Sequence, residues 1–124
     1  MFDHVKFGVR DFAASKAFYL QALAPLGVEL GGEGEPSYGV ELIVQGQVAS
    51  LCLFQTDEKP AHLHIAFVAE TREQVDAFYR EALAAGGRDN GPPGLRPKYN
   101  ANYYAAFVID PDGHNIEAVC HAAA

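Results

Sequence analysis

The sequence predicts an α+β fold made of two tandem β-α-β-β-β modules, and three observations lead there. The first is a repeat. HIAFVAETREQVDAFYREALAAGG (64–87) restates HVKFGVRDFAASKAFYLQALAPLG (4–27) at an offset of 60 residues without a gap. Nine of the 24 aligned pairs are identical, and they include His4/His64, Phe7/Phe67, Phe18/Phe78, Tyr19/Tyr79 and Gly27/Gly87. Alanines could coincide by chance, but an aromatic, histidine and glycine set in one register marks two copies of one supersecondary unit. The second is periodicity, which switches from two to about 3.6 residues early in each copy. The third is punctuation by Gly and Pro, which cuts the rest of each copy into short strands.

Each element has its own signal. Asp3, Val5, Phe7 and Val9 alternate with His4, Lys6 and Gly8, which predicts a strand over 3–9 with one apolar face. Residues 11–25 then place Phe18, Ala22, Leu23 and Leu26 on one helical stripe, with Asp11 as N-cap and Gly27 as the stop. Strands are predicted near 28–32, 38–44 and 47–54, separated by Gly31-Gly32, Glu35-Pro36 and Gly46. Module one spans 1–55, and the polar stretch 56–61 (TDEKPA) is the linker to module two at 62–121. That module opens with a strand over 62–69. Thr71 and Gln74 form a capping box before a helix at 72–85, striped by Val75, Phe78, Tyr79, Ala82 and Leu83. A short strand near 87–90, a loop over 91–102 (GPPGLRPKYNAN) and strands at 103–109 and 114–120 complete the copy. The last two are joined by the turn Asp110-Pro111-Asp112-Gly113. The Tyr and Phe pairs on the helices are expected to pack against the sheets.

Composition narrows the function. The 124 residues make one domain of two modules sharing a core, and 49% hydrophobic with 20% charged residues is ordinary for a globular protein. No apolar run approaches a membrane span, and MFDHVKFGVRD lacks the pattern of a secretory signal. Cys52 and Cys120 have no CxxC spacing, so two reduced thiols in a cytoplasmic protein are expected. A net charge of −7 argues against nucleic acid as the main partner. Ser-His-Asp groupings, phosphate loops and dinucleotide fingerprints are absent.

Alternation also picks out candidate chemistry. Val5, Phe7, Ile65 and Phe67 take the helix-packing face, so His4 and His64 point the other way from matching positions. Glu117 is a carboxylate inside a strand that otherwise reads as core, where a charge needs a partner. Two imidazoles and a carboxylate in one cavity would hold a divalent metal with coordination positions left open. The competing readings are a hydrogen-bonded structural histidine and a glutamate reaching solvent at a sheet edge. The repetition of His at both equivalent sites favours the metal.

The doubled unit, its DHV…FY…L…LG opening and its terminal DPDGHNIEAV resemble the vicinal oxygen chelate superfamily over nearly the whole chain. That group includes glyoxalase I, extradiol dioxygenases, fosfomycin-resistance transferases and bleomycin-resistance proteins. The resemblance implies curved mixed sheets that form a cleft. It implies one divalent metal per site (Zn, Ni, Mn, Co or Fe) held by His4, His64 and Glu117. The fourth family position is best matched by Ser50, a poor ligand, where glyoxalase I resemblance would imply a carboxylate. It also implies a homodimer, each site taking His4 from one chain and His64 with Glu117 from the other. The expected function is a metal-dependent glyoxalase-like enzyme, lyase or isomerase in type, chelating vicinal oxygens of a small substrate. The alternatives are an extradiol-type ring-cleaving dioxygenase and a metal-free protein sequestering a drug or metabolite. Glu117, water or a tyrosine would be the base.

Other residues are weaker candidates. Arg96 and Lys98, in the loop before the strand at 103–109, would either bind an anionic substrate or be solvated charges. Of Tyr103 and Tyr104, one is expected to face the cavity and the other to pack. Lys6 and Cys52 are in phase with His4 and Ser50, and His62 sits at the rim. His114 is expected to face away from Glu117, and His121 to lie in a fraying tail.

Overall fold

A computed structural model describes residues 2–58 and 61–124. Lys59 and Pro60 of the expected linker lie outside these. The order is β1 (His4–Val9), α1 (Phe12–Leu23), a 3-10 turn (Ala24–Leu26), β2 (Val28–Glu33), β3 (Val40–Val44) and β4 (Ser50–Gln55). The second module follows with β5 (His64–Val68), α2 (Arg72–Ala84), β6 (Arg88–Leu95), β7 (Tyr104–Ile109) and β8 (Asn115–Cys120). Two four-stranded mixed sheets result, ordered β1-β4-β3-β2 and β5-β8-β7-β6, so the α+β reading with two β-α-β-β-β modules holds. In each, the first strand runs parallel to the last and the others pair antiparallel.

The helices begin where the side chains predict. Asp11 accepts from Ala14 N at 3.0 Å, satisfying one of the first amides of α1. Thr71 and Gln74 form a complete capping box on α2. Gly27 closes the 3-10 turn with φ +85°, a conformation open to a residue without Cβ. The expected helix of 11–25 thus ends two residues early, because Pro25 cannot donate the next helical bond and the chain tightens into the 3-10 turn instead. The strands expected from 38 and 47 begin at Val40 and Ser50.

The largest departure is β6. A short strand over 87–90 and a loop from 91 were expected, but β6 continues to Leu95 through Gly91-Pro92-Pro93-Gly94. It does so as an edge strand with register shifts between Asp89 and Gly91 and between Gly91 and Gly94. An edge strand tolerates proline because the missing N–H faces no neighbour, and a bulge absorbs the rest.

One core joins both modules. Phe7, Val9, Phe18, Leu23, Leu42 and Leu53 from the first meet Val75, Phe78, Ala106, Val108 and Ile116 from the second. The helices α1 and α2 pack against each other inside it. A polar latch crosses the same junction. The Tyr19 hydroxyl donates to Asp110 Oδ2, the Ser15 hydroxyl to Asp112 Oδ2 at 3.2 Å, and the Arg10 amide to Asp112 Oδ1 at 3.1 Å. Tyr19, expected merely to pack, is therefore also a buried hydrogen-bond donor to the DPDG turn. Burial and the two nearby aspartates raise its pKa far above that of a free phenol. Each sheet spends one face on this core, and the other face is left for chemistry.

Candidate functional site

The open face of the second sheet is read directly from its register. Ala66, Glu117, Phe107 and Gly91 lie side by side across β5, β8, β7 and β6, and His64 pairs with Asn115 in the neighbouring row. Directly paired residues share a face. Glu117 is 2% exposed, which would be costly for a carboxylate without partners. It has two. The Tyr103 hydroxyl donates to its Oε2, and His64 Nε2 lies 3.0 Å from its Oε1.

The orientation of His64 fixes what that nitrogen can do. Its Nδ1 is 3.1 Å from the Asn115 carbonyl, which only accepts, so Nδ1 carries the proton. Nε2 is then free to face Glu117, and a positive charge must sit between nitrogen and oxygen: a second proton or a cation. Ligands about 2.1 Å from a divalent ion and at right angles to one another would lie about 3.0 Å apart. On the same face, Asn115 Oδ1 is buried with no partner among the described residues. The donor set therefore fits a divalent metal, with His64 and Glu117 as the residues that would hold it. Among the described residues, no group of three or more His, Cys, Asp or Glu side chains is placed to hold a metal. His4 lies on the first sheet, exposed, with Nδ1 2.7 Å from Asp3 Oδ1.

The first sheet corrects one correspondence. His4 pairs with Ser50 as His64 pairs with Asn115, and Lys6 pairs with Cys52 as Ala66 pairs with Glu117. The position equivalent to Glu117 is therefore Cys52, not Ser50. The connections before the last strands are of equal length, but Gly46 stands four residues before Ser50 and Gly113 only two before Asn115, so matching the Gly of each turn slipped the register by two residues. Ser50 instead donates to Glu41 Oε2 at 3.0 Å.

The remaining candidates divide clearly. Tyr103 faces Glu117, and its pKa is pushed up to about 12, first by burial and then by the carboxylate it bonds. Tyr104 turns to α2, where its hydroxyl donates to Asp76 at 2.7 Å and its ring lies under Arg72. Arg96 lies over Phe107, its Cζ 5.4 Å from the ring centroid. Lys98 is exposed and sits over Tyr99, whose ring packs on Tyr103. His114 is fully buried and accepts from the Leu63 amide at 3.0 Å through Nδ1, so its role is structural. Sequence reasoning missed Phe107, which stacks on His64 at 6.2 Å, and Asn115. Both were within reach of it: Phe107 is in phase with Tyr103, and Asn115 with Glu117. A cavity of about 900 Å³ lies between the modules, with His4 and Ser50 on one side, His64 and Ala66 on the other, and apolar residues of the 3-10 turn below.

This fold and face define a class. Residues 1–118 match the family model of the Glyoxalase/Bleomycin resistance protein/Dioxygenase superfamily, and the chain belongs to that superfamily. A glyoxalase/bleomycin resistance protein from Albidiferax ferrireducens T118 is 30% identical, with 98% of each chain covered and a TM-score of 0.78. An enzyme of the same family from Burkholderia phytofirmans PsJN is 19% identical over 97% of this chain and 98% of that one (TM-score 0.75). Lactoylglutathione lyase from Agrobacterium tumefaciens is likewise 19% identical over 96% and 92% (TM-score 0.70). The last two likenesses show the fold alone. No curated protein matches the chain. No helix among the described residues is long and apolar enough to cross a membrane.

Proposed function

We propose that this protein is a divalent-metal-dependent, glyoxalase-like enzyme of lyase or isomerase type, acting on a small molecule with two adjacent oxygen atoms. The observation that carries the reading is the His64–Glu117 pair: a pinned imidazole and a buried carboxylate at 3.0 Å, facing each other across a gap that calls for positive charge. When bound, the metal supplies Lewis-acid stabilisation of the anion that develops on the substrate oxygens. The chain's own groups do the rest. The Asn115 carbonyl holds His64 in one tautomer. Tyr103, kept protonated by its raised pKa, orients Glu117. Glu117 would take the proton from the carbon that bears a hydroxyl and return it to the neighbouring carbonyl carbon, while the hydroxyl proton passes to the carbonyl oxygen, so that hydroxyl and carbonyl exchange places.

His4 is the third ligand in this proposal. It reaches the pair from a second copy whose first sheet faces this chain's second, so the assembly is a homodimer with two sites. The uncovered face of each sheet supports that arrangement.

Metal analysis tests the reading. We expect about one divalent ion per chain in the purified protein, lost to background in His64→Ala and Glu117→Ala. Tyr103→Phe should weaken metal affinity by about 10–100-fold, as loss of an outer hydrogen bond to a ligand does. Iron together with catechol turnover would replace this reading by ring-cleaving oxygenation. Wild-type protein that takes up no metal would replace it by sequestration of a ligand.

A further inference from the structure

Arg96 is the feature of this face that the chelating pair leaves unexplained. It follows β6 directly, and its amide bonds the Tyr103 carbonyl at 2.7 Å, which places it on the face of Tyr103 and Glu117. Its side chain folds back along β6 instead of reaching into solvent. The two terminal nitrogens lie 3.1 and 3.3 Å from where a Cβ would stand on Gly94 and Gly91. The bulged Gly-Pro-Pro-Gly segment is thus a bed in which a Cβ at either glycine would crowd the guanidinium. The guanidinium is further held over Phe107 and donates once, through Nη2 to the Pro92 carbonyl at 2.7 Å.

A guanidinium has five N–H donors, so four remain. No acidic side chain pairs with Arg96 among the described residues, although the chain carries 16 acids against nine Lys and Arg. A cation so firmly positioned, yet lacking a counter-ion, is arranged for an anion that arrives from outside. Its position relative to the pair follows from the sheet. Glu117, Phe107 and Gly91 are neighbours on successive strands, so the bed of Arg96 lies about 10 Å from Glu117, with the Phe107 ring between. His64 stacks on the same ring, with an angle of 20° between the planes.

We propose that Arg96 binds a carboxylate of the substrate, and that the substrate is an organic acid whose chelating oxygens and carboxylate stand at opposite ends of a body spanning the exposed edge of Phe107. A planar, two-oxygen anion suits the fork of a guanidinium whose own plane is set by its bed. This rests on the chelating role assigned above to His64 and Glu117. Lys98, over Tyr99 and exposed, takes no part.

Two probes isolate the carboxylate. Catechol and 3,4-dihydroxybenzoate present the same vicinal oxygens and differ in the acid group. Titrated calorimetrically into metal-loaded protein, the acid should bind about tenfold tighter or more. Arg96→Met should erase most of that gap while leaving catechol within twofold, and Arg96→Lys should restore part of it. Equal affinities in the wild type, or a preference that survives Arg96→Met, would overturn the proposal and leave metal binding untouched. Benzoate titrated into metal-free protein, followed by NMR shifts of the Phe107 ring, separates the two readings. Binding lost in Arg96→Met supports the role of Arg96 even if no metal is taken up; no binding, or binding that Arg96→Met leaves unchanged, overturns it.

Discussion

Glu117, at 2% exposure, has Tyr103 and His64 as its partners, and the Tyr103 contact has a signature in alkali. The Tyr103 phenol is shifted from 10.0 up to about 12, so folding holds its proton more tightly than the unfolded chain does. Between these values the unfolded chain loses a proton that the native one keeps. The contribution of Tyr103 to stability is therefore whole below pH 10 and is lost as pH rises towards about 12. Denaturant melts at stepped pH should show a shallower alkaline decline in Tyr103→Phe than in wild type. Asp110 is the other residue on which much depends. It is 4% exposed and accepts from Tyr19 through one oxygen and from the amides of Asp112 and His114, at 2.9 and 2.8 Å, through the other. Asp110→Ala leaves three donors unpaired at the junction of the modules. Urea unfolding should show a loss of about 3 kcal/mol or more. Tyr19→Phe, which removes one donor and leaves the rest of the set, should cost about 1–2 kcal/mol.

Among the elements, α2 shows how much local chemistry decides. Its capping box satisfies amides at the start of the helix, so Thr71→Ala should cost about 1 kcal/mol by the same urea measurement. The element was legible because capping box and stripe both lie within a few residues of one another. The strand β6 was not, because its Gly and Pro residues read as loop to any local rule. Pairing with β7 overrides that propensity, and a strand's partner can be far away in sequence. The repeat behaves similarly. Its first 24 residues align without a gap, and His4 and His64 were matched correctly. The turn glycines before the last strands do not correspond, and only pairing against β1 and β5 shows that Cys52, rather than Ser50, answers to Glu117.

For the whole molecule, the proposed dimer makes a plain prediction: light scattering at micromolar concentration should give twice the 13.4 kDa of one chain. A monomer would remove His4 from the site. Val68, 76% exposed at the opposite end of the edge strand β5 from His64 and on the same face, is the kind of apolar residue such a partner would cover. By themselves, the residues of this chain determined its duplicated architecture, the face on which each histidine stands and the singular position of Glu117. These follow from periods of two and 3.6, which are properties of neighbouring residues. The tertiary structure alone decided that Tyr103 rather than Tyr104 meets Glu117, that Tyr19 locks the modules through Asp110, and that Arg96 lies on a bed of glycines with no acidic partner among the described residues. Those outcomes depend on register and on which strands become neighbours, and both are settled by packing between segments distant along the chain.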